Sequence, residues 1–376
     1  MEPRKIRVLM LTTDSEICGT ERIILSLLRH IDRSRFEPSL VTLFGPGDLI
    51  DAAKEWGVPG VNLKLREESL WKGLAAWRRL LREFQPDVIQ SLLIHSNLLG
   101  RLTVLFRRKI KLLSGISTVY TVEGYGRLYA WIERLTHPLD TLYVVNSELG
   151  LDKVLHLIRL PGKKIALVHN GIETTVDEGD SEKLRCEVRR EFGLAENHLV
   201  AGIVAQMRPA KRHDLLIQAA ARLKMRFPEL RLLFVGQGEM ESALRDLAEK
   251  EGVAEETIFA GYRHDARRIL YGMDIFALPS DVEGEPVSLM EAMDAGLPVI
   301  TARTGGIPEI VEEGKSGLIF TPKDLDGLEI ALAELLNDGD RRRRIGQAAK
   351  NRIREAFSAE RMTAQFEDLY QRCMQS

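Results

Sequence analysis

Residues 274–302 read DIFALPSDVEGEPVSLMEAMDAGLPVITA. The apolar run DIFALPS (274–280) reads as a strand. The loop DVEGEP follows, and Pro286 suits the first turn of a helix that runs to Ala295 and stops at Gly296. LPVITA (297–302) reads as the next strand. Strand, helix, strand in this order is a parallel crossover, the repeating unit of a doubly wound α/β sheet.

The same alternation runs outward in both directions. Strand-like runs lie at 6–12, 38–44, 87–92, 111–118 and 141–147, with helical stretches between them. The pattern restarts after residue 172, with strands at 198–206, 231–238, 257–262 and 316–320. We expect two Rossmann-like domains, 1–172 and 173–358, joined near VHNGIETT (168–175). Ligands of such sheets bind beyond the carboxyl ends of the strands, so the loops there carry the function, and in a two-domain chain they would face a central cleft.

In the opening stretch Glu283 and Glu291 stand eight positions apart. The first N–H groups of the helix form an anion site, and Gly284 permits close backbone approach. Ser288, Glu291, Ala292 and Ala295 share one stripe of the helix. A glutamate among small residues suits a grip on two adjacent hydroxyls. The alternative pairs Glu291 with a basic residue and leaves Glu283 on the surface. In QMRPAKRHD (206–214), Arg208, Lys211 and Arg212 suit a diphosphate or are helix-start solubility charges. VGQGEME (235–241) places Gly236 after a strand, a weak phosphate-loop pattern. ARTGGIPEIVEEG (302–314) adds a glycine pair before a helix. In the first half, Gly19 opens a helix after strand one, His95 follows the strand at 87–92, and Tyr120 and Glu123 lie beyond the strand at 111–118.

Composition narrows the class. Of the 376 residues, 44% are apolar and 29% charged, as in globular proteins. No apolar run has the length of a membrane span, and the N-terminus reads as a first strand, not a signal peptide. Three dispersed cysteines argue against a disulfide framework and for a reducing cytoplasm. Residues 1–172 carry 25 Lys and Arg against 18 Asp and Glu, and the remainder carries 28 against 37. A basic first half suits an anionic partner or membrane surface. WKGLAAWRRLLREF (71–84) and LFRRKIKLL (105–113) either touch such a surface or pack on their own sheet. The run RRRR (341–344) reads as a solvated helix face, and no nucleic-acid partner is expected.

These segments together resemble the retaining group-one glycosyltransferases of the family-four type, which have the GT-B fold. The resemblance rests on EGEPVSLMEAMDAGLPVI, with its Glu, seven residues, Glu motif, and on GTERIILSLLRHID, VHNGIE, RPAKRHDLLIQAA, LLFVGQGEMESAL, IFAGYRHD and GGIPEIVEEGKSGLIF, in family order. It implies a nucleotide-diphosphate sugar as donor, a saccharide or lipid-linked acceptor on the first domain, and a setting in surface polysaccharide or glycolipid assembly. By resemblance, Glu291 binds the donor ribose and Glu283 the sugar, beside the backbone of the segment Glu285, Pro286 and Val287, whose N–H groups come from Glu285 and Val287. Lys211 matches the diphosphate lysine, Tyr262 and Arg263 the segment that meets the base, and Gly19 the loop that approaches the phosphate. The family's last helix crosses back to the first domain, here at about 359–376. No cofactor is implied, and no DxD-type metal motif is present.

The chain departs from the family pattern at four places. Gln206 stands where an arginine is common, so Arg208 becomes the second candidate cation. Tyr120 stands where a histidine is common, with His95 as a candidate substitute. Cys18 replaces the first glycine of a pair, and Glu285 replaces an apolar or aromatic residue. Gln206 and Tyr120 also motivate a competing reading, a catalytically silent nucleotide-sugar-binding partner. The basic first half extends the cytoplasmic expectation to a peripheral position on the inner face of the membrane.

Overall fold

The central strand-forming runs are mainly apolar because both of their faces are covered by helices. All four residues of Ile275–Leu278 and of Val299–Ala302 are buried. A computed structural model describes residues 4–17, 19–116, 126–158, 161–174 and 178–375. The chain divides into two compact units, Met1–Glu173 with Ser358–Ser376, and Thr174–Phe357.

In the first unit, β1 (Ile6–Thr12), β2 (Phe36–Thr42), β3 (Gly60–Asn62), β4 (Val88–Leu92), β5 (Lys111–Ile116), β6 (Leu142–Val145) and β7 (Ile165–Leu167) form a parallel sheet in the order β3-β2-β1-β4-β5-β6-β7. Its helices are α1 (Gly19–His30), α2 (Asp48–Glu55), α3 (Leu70–Glu83), α4 (Ile94–Phe106), α5 (Gly126–Thr136) and α6 (Glu148–Lys153). The outer strands β3 and β7 have no counterpart among the expected strands. Each is three residues long, too short for a periodic signal.

The second unit contains α7 (Glu178–Glu191), β8 (Leu199–Val204), α8 (His213–Leu223), β9 (Leu230–Val235), α9 (Glu241–Lys250), β10 (Thr257–Phe259) and α10 (Ala266–Leu270). It continues with β11 (Ile275–Leu278), α11 (Val287–Asp294), β12 (Val299–Ala302), α12 (Ile307–Ile310), β13 (Leu318–Phe320), α13 (Leu325–Asn337) and α14 (Gly339–Ala356). The strand order is β10-β9-β8-β11-β12-β13. The fold is thus α/β, two doubly wound sheets of the GT-B type. Strand order reverses between β1 and β4 in one sheet and between β8 and β11 in the other. These reversals are where such sheets open a ligand crevice.

The last helix, α15 (Ala359–Gln375), belongs to the first unit. Met362, Phe366, Leu369, Tyr370 and Cys373 pack into one core with Ile24, Leu28 and Phe36. The entry is tight: Ala359 N–H donates to Ile172 at 2.8 Å, and a Cβ on Gly171 would lie 2.3 Å from the Ser358 carbonyl oxygen. Among the described residues no helix is long and apolar enough to cross a membrane.

One local expectation is corrected. Pro286 is the N-cap of α11, with φ −71° and ψ 116°, and the first turn starts at Val287. The end of the helix follows the expected stop. Gly296 takes φ +80°, and the N–H groups of Gly296 and Leu297 reach back to Met293 and Ala292, a Schellman closure.

Candidate active site

At the switch point of the second sheet, four loops are joined by backbone hydrogen bonds. The loop after β8 meets the loop after β11 through Asp281 N–H and the Ala210 carbonyl, 2.8 Å. It meets the loop after β9 through Met207 N–H to Gln237 and Met240 N–H to Met207, both 3.0 Å. Gly306 N–H, after β12, donates to the Gly284 carbonyl at 2.8 Å. This last contact depends on Gly305, at φ +56°. A Cβ there would stand 1.9 Å from the Glu283 carbonyl oxygen, so only glycine fits.

That scaffold brings Lys211 to Glu283. The ammonium donates to Oε1 at 2.6 Å, with the glutamate buried and the lysine partly exposed. Glu283 is therefore not a surface loop residue. Lys211 ends a short 3-10 turn, and Arg212 follows at φ +52°, a left-handed position rare for a side-chain-bearing residue. Its guanidinium bridges Asp214 (2.9 Å) and Asp281 (3.3 Å), which pins the lysine loop to the glutamate loop. Hydrogen bonding to Asp214, then Asp281, raises its pKa. Arg208 and Gln206 both lie exposed nearby.

Glu283, Glu285 and Glu291 are each 6% exposed. Glu285, the departure noted in the sequence, thus sits inside the loop and not in solvent. Helix α11 has no side-chain N-cap, and Pro286 contributes no donor, so the first-turn N–H groups lack an internal side-chain acceptor. Glu291 lies one turn before the buried Asp294 on α11. Arg267 of α10 serves both, with Nη2 3.1 Å from Asp294 and Nε 3.9 Å from Glu291. The basic partner considered for Glu291 therefore exists, as a shared and loosely placed one.

The Gly-x-Gly after β9 has a packing explanation. A Cβ on Gly236 would lie 2.0 Å from the Ala205 carbonyl oxygen, and one on Gly238 would lie 2.4 Å from that of Met207. Tyr262, after β10, is half exposed and meets His264 edge-on at 4.8 Å. Arg263 is committed elsewhere, with Nε and Nη1 bonded to Asp265 and Glu191 at 2.8 and 2.6 Å. Those bonds raise its pKa and hold that of Asp265 down.

Gly19 and His95 lie on the first unit, at the switch point of that sheet. Gly19 starts α1 after β1, and His95 stands in the first turn of α4 after β4. The two loops touch through Thr13 Oγ1 and Ser96 Oγ at 3.1 Å. His95 meets Phe44 edge-on at 5.9 Å, and partial burial with the Arg66 charge lowers its pKa. Tyr120, Glu123 and Cys18 lie outside the described residues.

The second unit therefore assembles Lys211, Glu283, Glu285, Glu291 and a helix N-terminus within one loop cluster. It offers a cation and N–H groups for an anion and carboxylates for hydroxyls. Three contributors escaped the sequence reading. Arg267 carries no local signal, Asp281 is indistinguishable from any loop aspartate, and Asp294 was legible only as a residue one turn from Glu291.

Two family models match the chain. The glycosyltransferase family 4 model covers residues 17–176, and the glycosyl transferases group 1 model covers 185–352. An N-acetyl-alpha-D-glucosaminyl L-malate synthase of Bacillus anthracis is 27% identical over 57% of this chain and 55% of its own. A GDP-mannose-dependent alpha-(1-6)-phosphatidylinositol monomannoside mannosyltransferase of Mycolicibacterium smegmatis is 32% identical over 50% of this chain and 52% of its own. These matches span about half the length of the relatives. The crystal structure of Anabaena Alr3699/HepE in complex with UDP superposes with a TM-score of 0.84 at 20% identity, over 97% of this chain and 99% of the other, a likeness of fold.

Proposed function

Because the chain belongs to the group 1 glycosyltransferases, we propose that it transfers a sugar, with retention at the anomeric carbon, from a nucleotide-diphosphate sugar to a saccharide or lipid-linked acceptor. The observation that carries this reading is the Lys211–Glu283 contact beside the uncapped start of α11, with Glu291 further along the same helix. Names of similar proteins support the donor class: one mannosyltransferase is GDP-mannose-dependent, and HepE was crystallised with UDP.

In this reading Glu291 accepts hydrogen bonds from the ribose hydroxyls and Glu283 from the sugar. The bond between the anomeric carbon and the diphosphate oxygen breaks, and its electron pair leaves with the diphosphate. Lys211 and the α11 N–H groups stabilise that charge where it develops, with Arg208 as an additional cation. The acceptor hydroxyl adds to the face the diphosphate leaves, and its proton passes to a diphosphate oxygen. The backbone beside Gly236, Tyr262 and Arg263 frames the base, and acceptor recognition belongs to the first unit around Gly19 and His95. We place the reaction in surface polysaccharide or glycolipid assembly by resemblance, in a reducing cytoplasmic setting; among the described residues Cys186 and Cys373 are free thiols.

A thermal-shift screen against UDP, GDP and their common sugars tests the donor assignment, since a ligand that binds only the native state raises its melting point. One nucleotide series should stabilise the protein, and no response to any of them would overturn the reading. Lys211→Ala should then lower kcat by on the order of 10²–10³, the usual loss for one transition-state donor. A binding partner without turnover is the second reading, favoured by one observation. Gln206, exposed after β8, puts no cation five residues before Lys211. Tight nucleotide binding without transfer or donor hydrolysis across many acceptors would favour it.

A further inference from the structure

Helix α5 shows its apolar stripe to solvent. Leu128, Trp131 and Leu135, at i, i+3 and i+7, are all exposed, Trp131 at 61%. Glu133, on the inner side, is 2% exposed. This orientation is locked. The buried Arg101 of α4 donates to Glu133 at 2.6 Å, to Thr136 at 2.8 Å, and through Nε and Nη2 to Asp140 at 2.9 and 2.7 Å. Tyr143 hydroxyl also donates to Glu133, at 3.2 Å. Turning α5 over would take Glu133 from Arg101 and Tyr143 and leave the buried guanidinium to Asp140, so its outward face is fixed by polar chemistry in the interior.

Arg101 also ties α4 and α5 side by side, and α4 presents a stripe of its own. Leu102, Leu105 and Phe106 are exposed, Phe106 at 79%. Cations border the paired stripes. Arg107, Arg108 and Lys109 follow α4, and Arg134 stands on α5, all exposed. From Ile94 to Thr136 the described residues contain one carboxylate, the buried Glu133. Among the described residues of these two helices and the segment between them, the exposed surface is therefore apolar and its exposed charges are cationic.

The stretches singled out from the sequence contribute differently. In 71–84, Trp77 and Leu81 pack inward and Trp77 donates to Thr103 at 3.1 Å, so α3 covers its own sheet. In 105–113 only Leu105 and Phe106 point out with the cations, whereas Ile110, Leu112 and Leu113 are core. Half of the outward apolar side chains come from α5, which carries no distinguishing sequence signal.

We infer that the α4–α5 surface docks this protein on an anionic phospholipid bilayer, with both stripes below the phosphates and the four cations level with them. Helices suit that position because their backbone groups are paired internally, and Trp, Leu and Arg side chains are those that interfaces hold. Charge argues for lipid and against a second copy of the chain. A two-fold interface through this face would set its cations against themselves, whereas anionic headgroups neutralise them. The inference extends beyond donor chemistry and does not rest on it.

Co-sedimentation of the full chain with vesicles of phosphatidylglycerol and phosphatidylcholine, against phosphatidylcholine alone, tests it. Binding to the anionic vesicles at low salt, released by high salt, is expected. The double substitution Phe106→Ser with Trp131→Ser should weaken partitioning at least about tenfold, and Arg107→Glu with Arg108→Glu should remove the preference for anionic lipid. Trp71→Ser, at an exposed tryptophan outside both stripes, should leave binding unchanged. All these side chains are exposed, and an unaltered melting point verifies each fold. Trp131→Phe should retain binding but lose part of the fluorescence quenching by brominated lipid. No binding to anionic vesicles at low salt, or undiminished binding of the double variant, would overturn the inference. So would dimerisation that the double variant abolishes, which would assign the face to a second copy. Nucleotide binding measured in parallel reports on the donor reading alone.

Discussion

His213 is 2% exposed, and neither ring nitrogen pairs with a described residue. It opens α8 beside Lys211 and meets Phe234 edge-on at 5.3 Å. Burial, with the Lys211 charge, pushes its pKa down to about 4 from the ordinary 6.5. Between those values the unfolded chain binds a proton that the native state refuses, so stability rises with pH through the window and is lost as pH falls. The loss by pH 4 is on the order of 3 kcal/mol for this group. Chemical denaturation of wild type and His213→Phe at pH 7 and pH 4.5 checks it: the variant should show a flatter pH response. Glu291 supports a second prediction. Glu291→Gln keeps the shape but removes the charge from the proposed ribose contact. The donor KM should rise about 10- to 100-fold with kcat little changed, in line with the ~1.5–3 kcal/mol of a hydrogen bond to a charged group. A kcat loss with constant KM would place Glu291 in the chemical step instead.

Loops and helix ends decide the site. Gly305→Ala adds a methyl group 1.9 Å from the Glu283 carbonyl oxygen at a left-handed position. It should destabilise the protein by at least about 2 kcal/mol and displace the Glu283 loop. Equilibrium unfolding and donor affinity should fall together, whereas unchanged values in both would show that the loop yields without consequence. This contact explains what the sequence could and could not reveal. The strand, helix and strand of 274–302 were legible because Ile275–Leu278 and Val299–Ala302 are apolar runs and Gly296 is a stop signal. The role of Gly305 was not, because the carbonyl it admits comes from a residue 22 positions earlier. For the same reason the Gly-x-Gly at 236–238 resembled a phosphate loop although neighbouring carbonyls already require its glycines. Strands β3 and β7 went unseen because three residues carry no period.

Over the whole molecule, the chain leaves its first unit at Glu173 and returns at Ser358. Helix α15 supplies Met362, Phe366, Leu369 and Tyr370 to that unit's core. Removing residues 358–376 should therefore cripple the first unit and spare the second. Residues 174–357 expressed alone should unfold cooperatively, whereas residues 1–173 alone should aggregate or unfold early, as calorimetry and gel filtration would show. Apolar periodicity, helix stops and the order of the motifs determined the α/β class, two doubly wound sheets, and the loops that hold Lys211, Glu283 and Glu291. Those features are local, and local sequence encodes them. Only the tertiary structure decided that Lys211 meets Glu283, that Arg267 serves Glu291 and Asp294 together, and that α5 faces outward. Each depends on partners far apart in the chain, Arg101 with Glu133 and Asp140 above all. A buried charge takes its orientation from whichever distant group neutralises it, which no single segment records.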